Sequence, residues 1–186
     1  SIGRREWDID FGTNPCSEII LRPNQFCNLT EVVCRVDDKV VDLKRKIRLA
    51  TILGTIQATM TKFGYLRKRW TNNTEEERLL GVSLTGITDC RILNNISSKQ
   101  LPQVLTELKN YSVRINKVWS RKFNIPQSTA VTCVKPSGTV SQLVDSSSGI
   151  HARHAPYYIR TVRADNKDPL TQFMIHAGIP NEPDQM

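Results

Sequence analysis

The sequence lacks a hydrophobic run long enough to cross a bilayer. Its longest apolar-rich stretch, residues 47–60, is interrupted by arginine, glutamine, glycine and threonine, whereas a membrane-spanning helix needs about 20 apolar residues in succession. An apolar leader is also lacking, since the chain begins at Ser1 and closes on the polar segment 181–186. We therefore expect a soluble protein without a membrane partner, and we interpret both ends as cut from a longer chain.

The composition does not have the bias of a non-globular chain. The 186 residues are 39% hydrophobic and 24% charged, and they contain no internal repeat and no low-complexity linker. These values exclude a disordered tail, a collagen-like repeat and a small disulfide-stapled scaffold. The length suits one domain or a piece of a larger one.

Cysteine is scarce and does not follow a disulfide pattern. The five cysteines are spread along the chain at positions 16, 27, 34, 90 and 133. Secreted disulfide frameworks have an even number of closely spaced cysteines. We therefore expect free thiols in a reducing compartment, the cytoplasm.

Hydrophobic periodicity predicts two long helices separated by short β-prone runs. The predicted helices cover 38–63 and 98–123, and the predicted strands cover 29–36, 81–84, 129–134 and 157–162. The polar segments 70–77 and 165–168 are interpreted as connections. From residue 47 onward the first helix is apolar nearly all round, so we expect it to be covered on more than one side. Alternation of strand and long helix predicts an α/β fold with parallel strands.

Residues 12–19 form the first candidate site. Pro15 fixes its own φ and pushes Asn14 toward extended geometry, which predicts a stiff, turned loop. In an extended stretch Asn14, Cys16 and Glu18 alternate onto one side, where an amide, a thiol and a carboxylate could meet one small substrate. A cysteine beside a proline turn is more often a packed thiol, so the motif alone leaves both interpretations open.

A second candidate site, residues 134–143, follows a predicted strand and suits an anion. Small residues allow backbone N–H groups at a helix start to point at a phosphate, and hydroxyl side chains could add donors. The expected phosphate-binding residues are Pro136, Ser137, Gly138, Thr139, Val140 and Ser141. The segment lacks the spacing of a Walker-type loop. A turn with serine N-caps explains the same residues equally well.

Taken together and in order, the motifs closely resemble the catalytic subunit of ribonucleotide reductase. They are Asn-Pro-Cys-Ser-Glu at 14–18 with Gln-Phe-Cys-Asn-Leu at 25–29, Arg-Leu-Leu-Gly-Val-Ser-Leu-Thr-Gly at 78–86, Pro-Ser-Gly-Thr-Val-Ser at 136–141, Ser-Gly-Ile-His at 148–151 and Tyr-Tyr-Ile-Arg at 157–160. The resemblance implies that residues 1–186 are the C-terminal portion of a ten-stranded α/β barrel, a fragment without the upstream half and the C-terminal tail. It also implies a central finger loop that carries a radical cysteine.

Two details are similar to the adenosylcobalamin-dependent class, class II, and within it to the monomeric ribonucleoside-triphosphate reductases. The turn of the first motif has Asn-Pro-Cys and the phosphate loop has Pro-Ser-Gly-Thr, where the oxygen-dependent class more usually has Asn-Leu-Cys and Pro-Thr-Ala-Ser. In addition, Cys27 lies only eleven residues after Cys16. The alternative within the family is the large subunit of the oxygen-dependent class I reductases.

The resemblance implies a role for each residue of the first motif. Cys16 would be the thiyl radical that abstracts the 3′ hydrogen of the ribose, and Glu18 would take the 3′-hydroxyl proton. Asn14 would hold the substrate by a hydrogen bond. Cys27 would be half of a redox dithiol whose partner lies upstream of Ser1. A radical sulfur needs a dry, shielded pocket, so we expect Cys16 to be protected.

The family also implies the ligands and partners. The substrate would be a ribonucleotide, a triphosphate before a diphosphate, with its phosphates on the 136–141 loop. Adenosylcobalamin would be the cofactor, thioredoxin or a similar protein the reductant, and a nucleotide the allosteric effector. His151 and His154 lack cysteine or acidic neighbours at ligand spacing, so we expect no metal site. Without the upstream half of the barrel the fragment is expected to be inactive.

Three other hypotheses compete with this one. The net charge of +8 and the basic clusters at 44–48 and 67–69 allow a nucleic-acid-binding module. We give it less weight because the first cluster lies on a helix whose other positions are apolar, and because no aromatic platform for single strands is recognised. A cysteine hydrolase would pair Cys16 with His151 or His154, and it predicts alkylation at low pH. The chain could also be a non-catalytic piece that folds only with its missing half.

Overall fold

The computed structural model describes residue 5 and residues 8–95 and 99–184. By its internal contacts the chain divides into two units, Ser1–Arg153 and His154–Met186. The strands are β1 (Gly12–Thr13), β2 (Ile20–Leu21), β3 (Asn28–Val33) and β4 (Leu80–Thr85). The helices are α1 (Val40–Gln57), α2 (Lys68–Glu77), α3 (Leu101–Lys122), α4 (Val140–Leu143) and α5 (Pro169–His176), the last of which lies in the second unit.

Parallel pairing organises the first unit. Strands β3 and β4 run parallel from the pair Asn28 and Leu80 to the pair Val33 and Thr85. A third extended segment lies along the other side of β4, where Val82 forms a parallel bridge with Thr132. Long helical connections join the three extended segments in sequence, as parallel pairing requires. The predicted α/β class with parallel strands is therefore confirmed.

Helices α1 and α3 supply the core that covers one face of this sheet. Leu43 and Ile47 of α1 and Leu108 of α3 are buried together with Val32 of β3 and Val82 of β4. Because side chains alternate along a strand, residues such as Leu29, Glu31 and Gly81 belong to the opposite face. That opposite face carries the candidate active site.

A buried polar network ties α1 to α3 and to the segment that follows α3. The side chain of Asn116, on α3, is fully buried. Its Nδ2 donates to Thr55 Oγ1 at 3.1 Å and to Ser128 Oγ at 2.9 Å, and its Oδ1 accepts from the Ser128 N–H at 3.0 Å. The network therefore fixes the start of the third extended segment against both helices.

Several predicted elements differ in the structure. The polar connection predicted at 70–77 is wrong, because these residues form most of α2. Apart from Trp70 its sequence is polar, and the helix is held by tertiary contacts that local pattern does not reveal, such as that of Trp70 with Phe26. The strand predicted at 157–162 is also wrong, since these residues are extended without a strand partner in the part of the chain that the structure describes. The predicted start of the second long helix, residue 98, lies outside the described residues, and α1 ends at Gln57, six residues before the predicted end at 63.

One face of α1 stays exposed, although we expected cover on more than one side. Leu49 is 62% exposed and Leu53 is 52% exposed. Together with the free edge of β3 they line a groove of about 540 Å³. Among the described residues, no strand pairs with that edge of β3. Buried oxygens of Thr30, Glu31 and Gln57 beside the groove have no hydrogen-bond partner in the described part of the chain.

Within the described ranges, none of the helices combines the length and the apolar character needed to span a bilayer.

Replacing Asn116 tests the polar network. We expect Asn116→Ala to lower the free energy of unfolding by about 2–3 kcal/mol, because the buried Ser128 N–H and hydroxyl lose their partner. The matched control is Asn110→Ala, at an exposed position of the same helix, which should change stability by less than about 0.5 kcal/mol. Urea unfolding followed by circular dichroism measures both. Equal effects of the two variants would contradict the network's role.

Candidate active site

A short hairpin carries the first motif. Strands β1 and β2 pair antiparallel, and residues 14–19 connect them. The Ser17 N–H donates to the Asn14 carbonyl at 2.9 Å, so Pro15 and Cys16 occupy the centre of a tight turn. Ser17 then adopts a φ of 61°. The extended geometry considered for this stretch is wrong, and the reason is that Pro15 and the positive φ of Ser17 reverse the chain at Cys16.

Asn14 and Glu18 meet across the base of this turn. Asn14 Nδ2 donates to Glu18 Oε2 at 2.5 Å, and Asn14 Oδ1 accepts from the Ile19 N–H at 3.0 Å. The amide and the carboxylate therefore come together as expected, with the carboxylate held in one orientation. Cys16 is exposed at the tip of the turn. The described residues do not provide the shielded pocket that was expected for its thiol, because the tip projects from the hairpin.

The hairpin lies directly against the sheet at Gly81. A Cβ atom at this position would be 3.0 Å from Ile19 Cδ1, 3.0 Å from Cys133 Sγ and 2.5 Å from Leu29 Cδ2. Real Cβ contacts are longer than these distances, so the absence of a side chain at Gly81 allows the hairpin, β3 and the third extended segment to converge. Ile19 is only 5% exposed as a result.

Cys27 lies close to this convergence and is partly buried. Burial, with additional contributions from the nearby Cys133 and Glu18, raises the pKa of the Cys27 thiol from 9.0 to about 12. Burial also raises the pKa of Cys133, to about 11, and Glu18 again contributes. The geometry therefore groups two thiols and a carboxylate on one face of the sheet. Both thiols keep their protons at neutral pH.

Cys133 is a member of this group that the motifs did not assign. The sequence places it in a predicted strand, where a small packed thiol is the ordinary interpretation. Its position became visible only with the pairing of the third extended segment, because the Cys133 N–H donates to the Val82 carbonyl at 3.1 Å. The alternation of side chains along the three paired segments could have indicated that Cys133 and Cys27 share a face. Using it requires the register in which the segments pair.

The predicted phosphate loop has an exposed rim and a buried base. Residues 138–140 are exposed, whereas Ser137 and Ser141 are buried. The Ser141 hydroxyl donates to the Ser137 carbonyl, and Ser148 Oγ donates to the same oxygen at 2.8 Å. Ser141 was expected to offer its hydroxyl to a phosphate, but in this structure that hydroxyl supports the loop. Ser137 Oγ is buried without a hydrogen-bond partner among the described residues.

Residues 147–149 attach this loop to the end of β4. The Gly86 N–H donates to the Ser147 carbonyl at 2.9 Å. The Gly149 N–H donates to Thr85 Oγ1 at 2.8 Å. Gly149 has a φ of 55°, and a Cβ there would lie 2.8 Å from the Lys135 carbonyl, so this position requires glycine.

Salt bridges among Asp89, Asp145 and Arg153 also stabilise the segment that follows the loop. Asp89 accepts from the Ser147 N–H at 2.7 Å and pairs with Arg153 at 3.1 Å. Arg153 also pairs with Asp145 at 2.8 Å. Burial alone would raise the pKa of Asp89, but the hydrogen bonds from Arg153 and Ser147 outweigh it and lower the pKa. The loop is thus preorganised by its own chain.

The two histidines that follow the loop in the sequence, His151 and His154, are exposed. His151 donates its backbone N–H to the Ser148 carbonyl at 2.8 Å, and its own carbonyl accepts from Thr88 Oγ1 at 3.0 Å. His154 stacks edge-on against Tyr158 within the second unit. Across the described residues, no group of three or more histidine, cysteine, aspartate or glutamate side chains is placed to hold a metal ion.

Comparison with known proteins identifies the chain's relatives. It is 30% identical over 198 aligned residues to an adenosylcobalamin-dependent ribonucleoside-triphosphate reductase of Lactobacillus helveticus, a match that covers 93% of this chain and 26% of that protein. The reductases of the same name from Lactobacillus gasseri and Euglena gracilis are each 31% identical, over 93% and 92% of this chain and 26% and 23% of theirs. The chain thus spans about a quarter of the length of these curated relatives.

A solved structure resembles the fold. The crystal structure of a B12-dependent, class II ribonucleotide reductase superposes with a TM-score of 0.65 at 24% identity, covering 77% of this chain and 23% of that one. No family model matches the chain. The predicted resemblance to adenosylcobalamin-dependent ribonucleotide reductases is confirmed by these relatives, and the oxygen-dependent class is not favoured.

The thiols should differ in their reaction with iodoacetamide. We expect Cys16 to be alkylated first, because it is exposed, and Cys34 and Cys90 to be alkylated only on unfolding, because both are fully buried. Peptide mapping by mass spectrometry after brief labelling measures the order, and labelling in urea provides the control in which all five react. Protection of Cys16 in the folded chain would contradict the exposed turn.

High pH should reveal the buried thiol of Cys27. Its folded pKa of about 12 lies above the ordinary 9.0, so its contribution to stability is complete below pH 9 and is lost as pH rises toward 12. We expect stability to fall less steeply over this range in Cys27→Ala than in the parent chain. The control is Cys16→Ala, which removes an exposed thiol. Urea midpoints measured across the alkaline range test this, and parallel curves for parent and Cys27→Ala would refute it.

Proposed function

We propose that this chain, a relative of part of the adenosylcobalamin-dependent ribonucleoside-triphosphate reductases, provides the substrate-reducing face of such an enzyme. The reaction would be the radical reduction of ribonucleotides, triphosphates first, to 2′-deoxyribonucleotides for DNA synthesis. The observation that carries the proposal is the hairpin, which presents Cys16 above the hydrogen-bonded pair Asn14 and Glu18 and places Glu18 beside Cys27. That set supplies a hydrogen-atom donor, an acid–base group and a reducing thiol within one site.

Each residue of the hairpin then has a chemical role. A thiyl radical at Cys16 would take the 3′ hydrogen atom of the ribose and return it at the end of the cycle. Glu18 would accept the 3′-hydroxyl proton, and this promotes departure of the 2′-hydroxyl as water. Asn14 supports the assignment because its amide already holds the Glu18 carboxylate at 2.5 Å. It would orient both the base and the substrate.

Cys27 would be one of the two thiols that supply the reducing equivalents. Two thiols lose two electrons and two protons as they close to a disulfide, and the substrate carbon gains the hydrogen that replaces its hydroxyl. A thiol that keeps its proton, as the raised pKa of Cys27 requires, suits this role better than a nucleophilic thiolate does. The partner thiol would come from the upstream part of the enzyme, and thioredoxin or a similar protein would reduce the disulfide again.

The 136–141 loop would bind the substrate's phosphates. Its rim, 138–140, is exposed, so an anion could reach the backbone there, and its base is held by the Ser141 and Ser148 hydroxyls. Preorganised backbone donors bind anions without a further ordering cost. The unpartnered Ser137 hydroxyl is a further donor beside this rim. A triphosphate is the first substrate class, with a diphosphate as the alternative.

The groove beside β3 would receive the upstream half of a ten-stranded barrel. An edge strand offers unpaired backbone groups, and the exposed Leu49 and Leu53 of α1 offer an apolar surface for a neighbouring helix. In that assembly residues 1–186 would be the C-terminal portion of the barrel, and the Cys16 hairpin would be its central finger loop. The upstream half would then shield the thiol that this chain leaves exposed.

The remaining ligands follow from the relatives. When bound, adenosylcobalamin would supply the radical that oxidises the Cys16 thiol, and the exposed tip of the hairpin leaves that thiol accessible. We assign no residue of this chain as a cobalamin ligand. An allosteric nucleotide and a cytoplasmic location complete the proposal.

The basic clusters do not favour the rival nucleic-acid-binding function. Lys44 pairs with Glu107, and Lys46 pairs with Asp38 at 2.5 Å. Two of the cations in the first cluster are therefore engaged by acidic side chains of the same chain, which reduces their attraction for phosphates. The cysteine-hydrolase rival is weakened by the position of Cys16 beside Asn14 and Glu18, neither of which is an imidazole base.

Reconstitution tests the proposal. The chain is co-expressed with the upstream half of a relative, and deoxynucleotide formation is assayed with and without adenosylcobalamin. We expect cofactor-dependent turnover that Cys16→Ser abolishes while nucleotide binding persists. The matched control, Cys90→Ala, removes a buried thiol remote from the hairpin motif and should retain turnover. Turnover in Cys16→Ser, or a salt-dependent shift of labelled DNA with no nucleotide binding, would overturn the proposal.

A further inference from the structure

Glu77 is a buried carboxylate between α2 and β4 that the proposed chemistry does not use. Its side chain is 2% exposed. It ends α2, and the next residue, Arg78, closes the helix with a left-handed φ of 47°. Arg78 is itself fixed by bonds to the Ala58 carbonyl at 2.6 Å and the Glu75 carbonyl at 2.9 Å. The direction of the Glu77 side chain is therefore set by the junction between helix and strand.

Glu77 holds Arg5 through both carboxylate oxygens. Arg5 Nε donates to Oε1 and Arg5 Nη2 donates to Oε2, each at 3.0 Å. The same Nη2 also donates to the carbonyl of Ile20, in β2, at 2.9 Å. The guanidinium of Arg5 thus connects the buried carboxylate to one end of the second strand of the hairpin.

Glu77 also holds the other end of that strand. Arg22 Nε lies 3.7 Å from Glu77 Oε1. Gln25 Nε2 donates to Glu77 Oε2 at 2.6 Å, and Gln25 Oε1 accepts from the Arg22 N–H at 2.9 Å. Both flanks of β2 are therefore connected to one carboxylate.

Removing the charge of a buried carboxylate that joins two arginines strongly destabilises the contacts around it. If the charge is removed, the arginines remain desolvated without their counter-ion, and the cost is larger than the value of any one hydrogen bond. The contact of Ile19 with Gly81 positions the hairpin against the sheet but does not fix its direction, because apolar contacts are non-directional. Hydrogen bonds with defined angles supply that direction.

We infer that Glu77 is the positioning residue of the Cys16 hairpin. By fixing both ends of β2 it sets where the turn, and so the Cys16 sulfur, lies above the sheet face that carries Cys27. The catalytic consequence rests on the proposed function, but the positioning itself does not.

A spin label on Cys16 tests the positioning in the full chain, and peptide mapping confirms the labelled site. We expect the fixed turn to restrict the label partly in the parent chain, and we expect a narrower, more mobile spectrum in Glu77→Gln. Glu77→Asp, which keeps the charge, should restore part of the immobilisation. The matched control is Glu107→Gln on α3, where the carboxylate is about half exposed and pairs with Lys44 rather than with an arginine of this network. It should leave the spectrum unchanged.

A second control separates positioning from stability. Thr51→Ala removes a buried hydroxyl of α1 that bonds Ser112 at 2.8 Å. It should lower the melting temperature without mobilising the label. If Glu77→Gln does not fold, Arg5→Gln removes the link from Glu77 to Ile20, keeps the contacts of Glu77 with Arg22 and Gln25, and should mobilise the label in its place. The inference would be overturned if the label in Glu77→Gln or Arg5→Gln were no more mobile than in the parent chain. It would also be overturned if the label in Thr51→Ala were as mobile as in Glu77→Gln.

Reconstituted enzyme extends the test to catalysis. Glu77→Gln should lower kcat more than it raises KM for the nucleotide, because it displaces the reacting groups of the hairpin while the phosphate loop is held by its own hydroxyls. Glu107→Gln should change neither. A label that is restricted in the parent chain and mobile in Glu77→Gln, together with no reductase activity in the reconstituted parent enzyme, would refute the proposed function and leave the positioning intact. An active parent enzyme whose label is as restricted in Glu77→Gln as in the parent chain would refute the positioning and leave the proposed function intact.

Discussion

The site depends on the close approach of the hairpin to the sheet at Gly81. Three pieces of chain that are distant in sequence, represented by Ile19, Leu29 and Cys133, converge on the space that a side chain would fill. Such an approach requires parallel pairing on both sides of β4, since that pairing places Leu29 and Cys133 on the same face. The core packed by α1 and α3 on the opposite face keeps the sheet in register. The grouping of the candidate site residues on one face of the sheet therefore depends on apolar packing on the other face.

The sequence predicts the parts of this fold that are encoded locally. The amphipathic period of α3, the apolar run of α1 and the β-prone runs of β3 and β4 are strong patterns, and their alternation indicates the parallel order. Helix α2 escapes the same reasoning, because Trp70 is its one apolar residue and the helix is held by contacts with other elements, through Trp70 on Phe26 and the buried Thr74 and Glu77. Residues 157–162 show the opposite error. Their β-propensity is real, but a strand also needs a neighbour with which to pair.

For the site, motif order identifies the residues and does not give their geometry. Asn14, Cys16 and Glu18 follow from the spacing and the family resemblance, but the tight turn at Cys16 depends on the positive φ of Ser17, a conformation that few sequence patterns specify. The grouping of Cys133 with Cys27 needs the strand register, which a single sequence does not fix. The Ser141 hydroxyl supports the loop because the structure places the Ser137 carbonyl within its reach.

The exposed thiol, the free edge of β3 and the apolar face of α1 have a common physical basis. A thiyl radical in water would react with solvent-borne molecules, so the chemistry proposed for Cys16 would require cover. The free edge and the apolar face also favour cover, because unpaired backbone groups and contiguous apolar side chains are stabilised by burial. A partner that paired with β3 and packed on Leu49 and Leu53 would bury this surface. It would gain association energy from the same contacts that create a dry site, so assembly and radical chemistry would be coupled through one buried surface.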